Sequence, residues 1–487
     1  MRTQSGLTLF RKSLRETFYQ YVDNTKVNGL WMLRRKPNST NHDELKRFCW
    51  SVILFSLLIL GVFLSIMLWN KFYSLPTIVS IENHVPVTNV AFPGVTLCSP
   101  LAILEYKLDA FMERIINKLN YSSNDIKIAL RSLEGFTSRH TINETRYNMV
   151  DEILEENNLT VFETMSLLGG SCEDFLQYCY WGSKQFPCYQ KNDDLTFTTS
   201  ISHVGYCCSF NYRPEDQSYI PFSANNFGVN GGLVIVGLDR IMGNQSTGLL
   251  MKVHHPLDYV VEAHTLITLN PYHETFVVVY PVELSSSKEV LELSATKRNC
   301  RISSDYKRSK RYYRQAGCIL NCHHQLVYRT CGCHPFHYPA IYRRKGIRNC
   351  SAKDISCFIR NFDYFKSVKC KECLPNCYDV TYSTSTDYTD LMQHNISASV
   401  IYSAHNLSQH SFIVRVYLAN QVVTSHKKII IMSVVSLLAD LGGVFNLCLG
   451  ISVISIVEFF YFFTYRLYVN YRSQTAIIYV KEKKQYL

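Results

Sequence analysis

Along the 487-residue chain the spacing of apolar and polar positions changes its rhythm several times. Residues 48–69, "FCWSVILFSLLILGVFLSIMLW", form an uncharged run of 22 residues, long enough to cross a bilayer as one helix. The run starts too far into the chain, is too long, and lacks the small-residue cleavage site of a signal peptide. Residues 103–165 place apolar side chains near every 3.6 residues, as in "LEYKLDAFMERIINKL" and "MVDEILEENN", which predicts helices. Residues 195–285 switch to β-rich runs punctuated by Gly and Pro ("TFTTSISHVGYCCSFNY", "GLVIVGL", "TFVVVYPVEL"), and residues 396–419 also read as strands. No internal repeat or low-complexity linker separates these stretches. A second apolar run, residues 429–463, has 35 residues, more than the ~20 of a single crossing, and so predicts a tilted or broken helix.

That second run carries polar and glycine positions that an anchor does not need: Asp440, Gly442, Gly443, Asn446, Gly450, Ser452 and Glu458. Ionisable groups inside a span face a bundle interior or water, and unwound backbone at that depth is tolerated where it lines a water-filled cavity. Its carbonyls can then replace part of an ion's hydration shell, and Asp440 and Glu458 on either side of Gly450 would concentrate cations. The pattern predicts that this span lines a cation pore. Two spans per chain cannot enclose a pore, so several chains must assemble.

Charge supports a membrane reading. The formal net charge is +11, but residues 1–47 hold ten Lys/Arg against four Asp/Glu directly before the first apolar run, a positive-inside bias. No nucleic-acid motif accompanies it, and a nucleic-acid partner is not expected. With a basic tail after the second run, both termini fall on the cytosolic side. Of 18 cysteines only Cys49 and Cys448 lie in the spans, and the sixteen between them read as disulfides of an oxidising compartment. Seven N-x-S/T sequons share that region, at Asn120, Asn143, Asn158, Asn244, Asn349, Asn395 and Asn406, while an eighth at Asn38 would be cytosolic.

The expected fold is an α+β membrane protein: two transmembrane helices, the second discontinuous, and a large disulfide-rich extracellular domain with a β-sheet core and peripheral helices. The divisions are 1–47 cytosolic, 48–69 first span, 70–428 extracellular, 429–463 second span and 464–487 cytosolic tail. Within 300–377, Cys318 and Cys322 share one face of a helix, and Cys370, Cys373 and Cys377 have spacings that suit a second. Two such helices could be stapled side by side, with the ten partners left open by sequence. A zinc site of Cys331, Cys333, His334 and His337 is the competing reading, disfavoured by the extracellular setting. The doublet His323–His324 reads as a solvated helix face. No Gly-rich phosphate loop and no nucleophile elbow is present, so no enzyme is expected.

The motifs together resemble the degenerin/epithelial sodium channel family, most of all an insect pickpocket-type subunit, over nearly the whole chain. "FPGVTLC" at 92–98 is similar to the family's post-span motif. Tyr313 with Cys318, Cys322, Cys331 and Cys333 fits the Y-x4-C-x3-C-x8-C-x-C thumb pattern, "CLPNCYDVTY" fits its end, and residues 441–458 are similar to the pore signature. The Cys207–Cys208 doublet suggests the insect branch.

The resemblance implies a homo- or heterotrimer in the plasma membrane, in contact with lipid, with a hand-like outer domain and a sodium-selective, amiloride-type pore gated through that domain. It implies sensory or epithelial sodium transport, no cofactor, and Na+ as the permeant ion. Gly450-Ile451-Ser452 falls on the selectivity filter, Gly443 on a gating position reserved for small side chains, and Asn28-Gly29 on the cytosolic His-Gly gating motif. The implied disulfide set is a ladder, Cys300–Cys377, Cys318–Cys373, Cys322–Cys370, Cys331–Cys357 and Cys333–Cys350, together with Cys98, Cys207, Cys172, Cys208, Cys179 and Cys188. Three positions depart from the family pattern: Asn28 stands for His, Ile451 for a small residue, and Asn446 where the blocker contact is Gly or Ser. The alternatives are a two-span cysteine-rich receptor or adhesion protein and a non-conducting modulatory subunit. An ATP-gated purinergic channel shares the two-span layout but not the thumb cysteine spacing.

Overall fold

The computed structural model describes residues 2–34, 41–74, 77–116, 121–190, 195–216, 218–224, 226–238, 248–261, 266–305, 313–342, 346–391 and 407–485. The chain divides into two units, residues 1–78 with 430–487, and residues 79–429.

In chain order the helices are α1 (Arg2–Asn24), α2 (Asn41–Ser74), α3 (Glu105–Met112), α4 (Ser123–Arg131), α5 (Glu144–Glu156), α6 (Val161–Leu168), the short α7 (Cys172–Phe175), α8 (Lys288–Glu292) and α9 (Ala295–Arg298), then α10 (Gln315–Cys331), α11 (Ile355–Arg360), α12 (Phe362–Ser367), α13 (Val434–Leu449), α14 (Val453–Tyr461) and α15 (Leu467–Gln485). The strands are β1 (Thr77–Pro86), β2 (Gly94–Cys98), β3 (Leu176–Trp181), β4 (Lys184–Phe186), β5 (Phe197–Ser202), β6 (Gly205–Phe210), β7 (Leu233–Leu238), β8 (Leu249–His254), β9 (Leu266–Leu269), β10 (His273–Ser286), β11 (Asp379–Asp390), β12 (Ser411–Leu418) and β13 (Val422–Ile430).

The larger unit holds both sheets. One has eight strands in the order β1-β13-β10-β12-β7-β3-β4, with β11 pairing the other edge of β10; the second has five, β5-β6-β2-β8-β9. The 14-residue β10 is the spine: β11 runs antiparallel along one edge, and β12 and then β13 run parallel along the other. Inward side chains of both sheets form one core, including Leu97, Phe210, Ile235, Val277 and Val414, joined by Phe92 just before β2. Phe210 gathers an aromatic cluster, with Phe197, Trp181 and Phe186 at ring distances of 5.3, 5.6 and 5.9 Å. A second core, with Leu108, Leu130, Tyr147, Met165, Val327 and Phe358, lies among the helices. Local chemistry sets helix starts there. Thr160 and Glu163 form a reciprocal capping box on α6, and Asn143 Oδ1 accepts the Arg146 N–H at 3.1 Å on α5. The buried carboxylate of Asp151 accepts the Ala352 N–H at 2.8 Å, tying α5 to the segment that follows Cys350.

Eight disulfides staple this unit. Adjacent residues on a strand point to opposite faces, so the doublet on β6 serves two partners. Cys207 meets Cys98 directly across on β2, and Cys208 turns into the sheet core to meet Cys172. Cys179 pairs with Cys188. Beside α10 the bonds are Cys300–Cys377, Cys318–Cys373, Cys322–Cys370, Cys331–Cys357 and Cys333–Cys350.

Two expectations require correction. The segment carrying Cys370, Cys373 and Cys377 is not a helix: α12 ends at Ser367, and the chain runs on in turns and extended backbone. Pro375 lacks a backbone N–H and disfavours the helical conformation at Leu374. The segment is held instead from the start of α10, where Tyr313 Oη donates to the Leu374 carbonyl at 2.5 Å and Gln315 Nε2 to that of Cys373 at 3.0 Å. The His323–His324 doublet is also not a solvated face. His324 is 2% exposed, and its Nε2 lies 2.8 Å from His334 Nδ1. With Cys331 and Cys333 both in disulfides, the four-residue zinc grouping lacks its thiolates. Asn349 and Asn158 are exposed and Asn143 half-buried, while the other sequon asparagines and residues 392–406 lie outside the described residues.

The smaller unit is helical. Among its described helices α2 is long and apolar enough to cross a membrane, and α13 with the helix that starts at Val453 passes the same test only as a pair, bent by 72°. α2 extends beyond the 48–69 apolar run at both ends, because flanking polar residues continue its hydrogen bonding. Residues 429–430 belong to β13, not to the second apolar helix. Past 463 the chain stays helical, through a wider turn at Phe462–Arg466 into α15. Part of the basic N-terminal segment forms α1, whose polar face meets the wider turn and α15: Gln20 Oε1 accepts from Arg466 Nε and Asn470 Nδ2, both at 3.1 Å.

Candidate functional site

The break in the second apolar stretch is Gly450-Ile451-Ser452. α13 ends on Gly450 in the left-handed conformation at φ 66°, a backbone that glycine adopts without penalty. Its N–H still donates to the Asn446 carbonyl at 2.8 Å. Ser452 then starts α14 as its cap, accepting the Ser455 N–H at 3.3 Å. Among the described residues no N–H or O–H donates to the carbonyls of Gly450 or Ile451. With the carbonyls of Leu447 and Cys448 at the end of α13, which also receive no donor among the described residues, the bend gathers several carbonyl dipoles in an otherwise apolar stretch.

A loop from the far end of the sequence lies against this break. The Asn28 N–H donates to the Leu449 carbonyl at 3.1 Å, and its side-chain amide occupies the space where a Cβ on Gly450 would stand, 2.5 Å away. Gly29 follows at φ 77°, and a Cβ there would meet the Trp50 indole at 2.5 Å. Trp50 Nε1 donates to the Gly29 carbonyl at 2.8 Å. The fold thus brings Asn28, Gly29 and Gly450 together. Trp50, which the sequence offers only as one more apolar residue of the first span, is the side chain that braces the turn. The ring of Tyr21 meets Phe459, Phe462 and Phe463 at 6.0, 5.7 and 5.4 Å.

α13 has two unlike faces. Gly61 of α2 is buried against Phe445 and Cys448, so that face of α13 is taken. The other face, with Ser436, Ala439, Asp440, Gly443, Asn446 and Leu447, is exposed in the single chain. A Cβ on Gly442 or Gly443 would meet nothing within 4 Å. Glu458 lies on α14, half-buried, with Oε2 shut from solvent and without a hydrogen-bond partner among the described residues, and no hydrogen bond links it to Asp440.

A family model described as amiloride-sensitive sodium channel matches residues 21–462. The chain belongs to that family. As a sodium channel subunit by family it is similar to the protein named sodium channel protein Nach, with 25% identity in Drosophila ananassae (94% of this chain, 88% of the relative) and 26% in Drosophila melanogaster (96% and 90%). Pickpocket protein 28 of Drosophila melanogaster is 21% identical over 95% of this chain and 80% of its own length. The family consists of ion channels of the plasma membrane built from several related subunits, not enzymes. Among solved structures, a proton-activated chloride channel overlaps this channel subunit with a TM-score of 0.30 and 8% identity, over 88% of this chain and 96% of that one, a likeness too low to carry an argument.

Proposed function

We propose that this chain is a pore-forming subunit of a trimeric, sodium-selective channel of the plasma membrane, working in sensory or epithelial sodium transport. In this reading α2 is one span and the bent pair beginning with α13 is the other, both termini are cytosolic, and residues 70–428 face outward, where eight disulfides are at home. Gly450-Ile451-Ser452 is the narrow part. The observation that carries the proposal is the group of carbonyls with no donor among the described residues, those of Gly450 and Ile451 included, at a helix break inside an apolar stretch. Backbone left unsatisfied at membrane depth is costly unless it meets water or an ion. The exposed face with Asp440, Gly443 and Asn446 is then the pore wall, and the Asn28–Gly29 turn is a cytosolic brace that sets the break. Na+ is the cargo, and no resident cofactor is needed.

The test is expression alone and with related subunits in oocytes, recording current while external Na+ is replaced. A current that falls with Na+ and whose Na+/K+ permeability ratio changes in Ser452→Phe supports the filter. Unchanged reversal potentials with normal current in that variant overturn the filter assignment. No current alone, together with no effect on related subunits, would leave a receptor role instead.

A further inference from the structure

In the larger unit a groove of about 230 Å3 runs between β9, the edge strand of the five-stranded sheet, and the β10–β11 pair. Its described lining is mostly hydroxyl and amide side chains. Thr386 and Tyr388 share one face of β11 at the two-residue period of a strand, and Thr275 on β10 stands directly across from Tyr388. Thr268 on β9 and Asn270 just after it close the other side. Among the described residues, none of these five side chains makes a hydrogen bond to the protein. Thr275 is the informative one. It is only 6% exposed, and its hydroxyl has no partner yet is not shut from solvent, so it opens into the groove.

Beside this hydroxyl row lies an aromatic ring in the open. Tyr388 is 70% exposed, and its ring stands edge-on to His273 with centroids 5.7 Å apart. His273 is itself held at both nitrogens, by the Pro271 carbonyl at 2.8 Å and by Asp390 at 3.0 Å. The ring is thus braced in place before any ligand arrives, which lowers the ordering cost of binding on it. Charge is nearly absent. The described lining has no Lys, Arg or Glu, Asp390 already holds His273, and Asp387, next to Tyr388 on the strand, turns its side chain to the opposite face.

These features select a ligand class. An apolar ligand would strip water from the hydroxyls and give them no partner. A charged ligand finds no free counter-charge. A sugar ring carries hydroxyls around its rim and C–H bonds on its face, and the groove offers hydroxyls that both donate and accept beside an exposed aromatic face. We infer that this groove binds a neutral saccharide, one sugar ring stacked on Tyr388 with its hydroxyls on Thr275 and the polar side chains around it. The sugar comes either from another molecule or from the chain's own N-linked glycans. The site is separate from the pore residues, and its test reads binding, not current.

The test applies the full-length protein, purified in a detergent without a sugar headgroup, to immobilised maltotriose, cellotriose, chitotriose and, as the anionic control, 3′-sialyllactose. Each is probed before and after enzymatic removal of the protein's own N-glycans. The expected result is binding of at least one neutral saccharide and weaker binding of the sialylated one. Binding in both states supports a sugar from another molecule, and binding only after glycan removal supports the chain's own glycan as the occupant. Tyr388→Ala, a surface change, and Thr275→Val, which removes a hydroxyl at nearly constant shape, should each weaken binding about tenfold or more, at an unfolding midpoint close to that of the wild type. Tyr388→Phe, which keeps the ring, should bind within about threefold of the wild type. No neutral saccharide bound in either state, sialyllactose bound as well as the neutral sugars, or binding unchanged in Tyr388→Ala would overturn the site.

Discussion

Gly450 and Gly443 are seven residues apart on one helix, yet they are glycines for different reasons. Gly450 is bound by its own chain: φ is 66°, and Asn28 fills the place of a Cβ. Any L side chain there meets the left-handed penalty of roughly 1–2 kcal/mol and must also displace Asn28. Gly450→Ala should therefore lose Na+ current, or its selectivity, at wild-type surface abundance; a normal current with an unchanged Na+/K+ ratio would contradict the proposed filter. No described atom lies within 4 Å of a Cβ on Gly443, so in the proposed assembly a neighbouring subunit is what would crowd it. Gly443→Val should leave folding alone and act through the assembly. Overpacking costs ~1–3 kcal/mol, and if the closed state alone bears it, the open/closed ratio rises roughly ten- to a hundredfold. Whole-cell recording at matched surface abundance should show a standing inward Na+ current, and a silent Gly443→Val that wild-type stimuli still open would refute close packing at that position.

At the scale of elements, α10 is clamped along its length. Cys318 and Cys322, one turn apart, bond to Cys373 and Cys370, and Cys331 near its end bonds to Cys357 on α11. The partner segment has no helical hydrogen bonds of its own to hold it. The bonds should therefore matter more to that segment than to the helix. Replacing both Cys322 and Cys370 with Ser should cost about 2–4 kcal/mol, read as a lower unfolding midpoint of the purified chain. Proteolysis should then begin near residues 368–377 rather than in α10. Non-reducing peptide mapping of the wild type should recover the 318–373 and 322–370 links, and free thiols at those positions would refute the ladder.

The molecule as a whole should be less stable in acid. His255 is held down to about 3 by burial and by the cation of Arg314, with Asp379 as a weaker opposing neighbour at 4.0 Å. Arg314 in turn forks between Asp258 and Asp379. His337, half-buried, is pushed to about 3 as well, by lost hydration first and then by the nearby His203. Between about pH 6.5 and 3 the unfolded chain binds protons at these sites that the folded chain refuses. Stability is then full above about pH 6.5 and falls as pH falls. Thermal melts of the full chain between about pH 7.5 and 4.5 should show a declining midpoint, and His255→Gln should flatten part of the slope. A midpoint that does not move down to about pH 5 would rule the two histidines out.

What the chain's order alone determined was periodic or compositional: the first apolar helix, the helical stretch before residue 165, the β-rich middle, and a second apolar run interrupted at Gly450. These follow from short-range rules, because helix and strand periods, glycine at a left-handed turn and Ser as a cap act within a few residues. The family motifs belong to the same class. What only the tertiary structure decided depends on partners distant in sequence. Trp50 braces Gly29 across 21 residues, and Asn28 sits against Gly450 from the other end of the chain. His324 is a core residue because His334 returns to it. Residues 370–377 stay extended because Pro375 bars a helix while Tyr313 and Gln315 supply the missing hydrogen bonds. No local pattern encodes such contacts, since each is set by what the folded chain brings alongside.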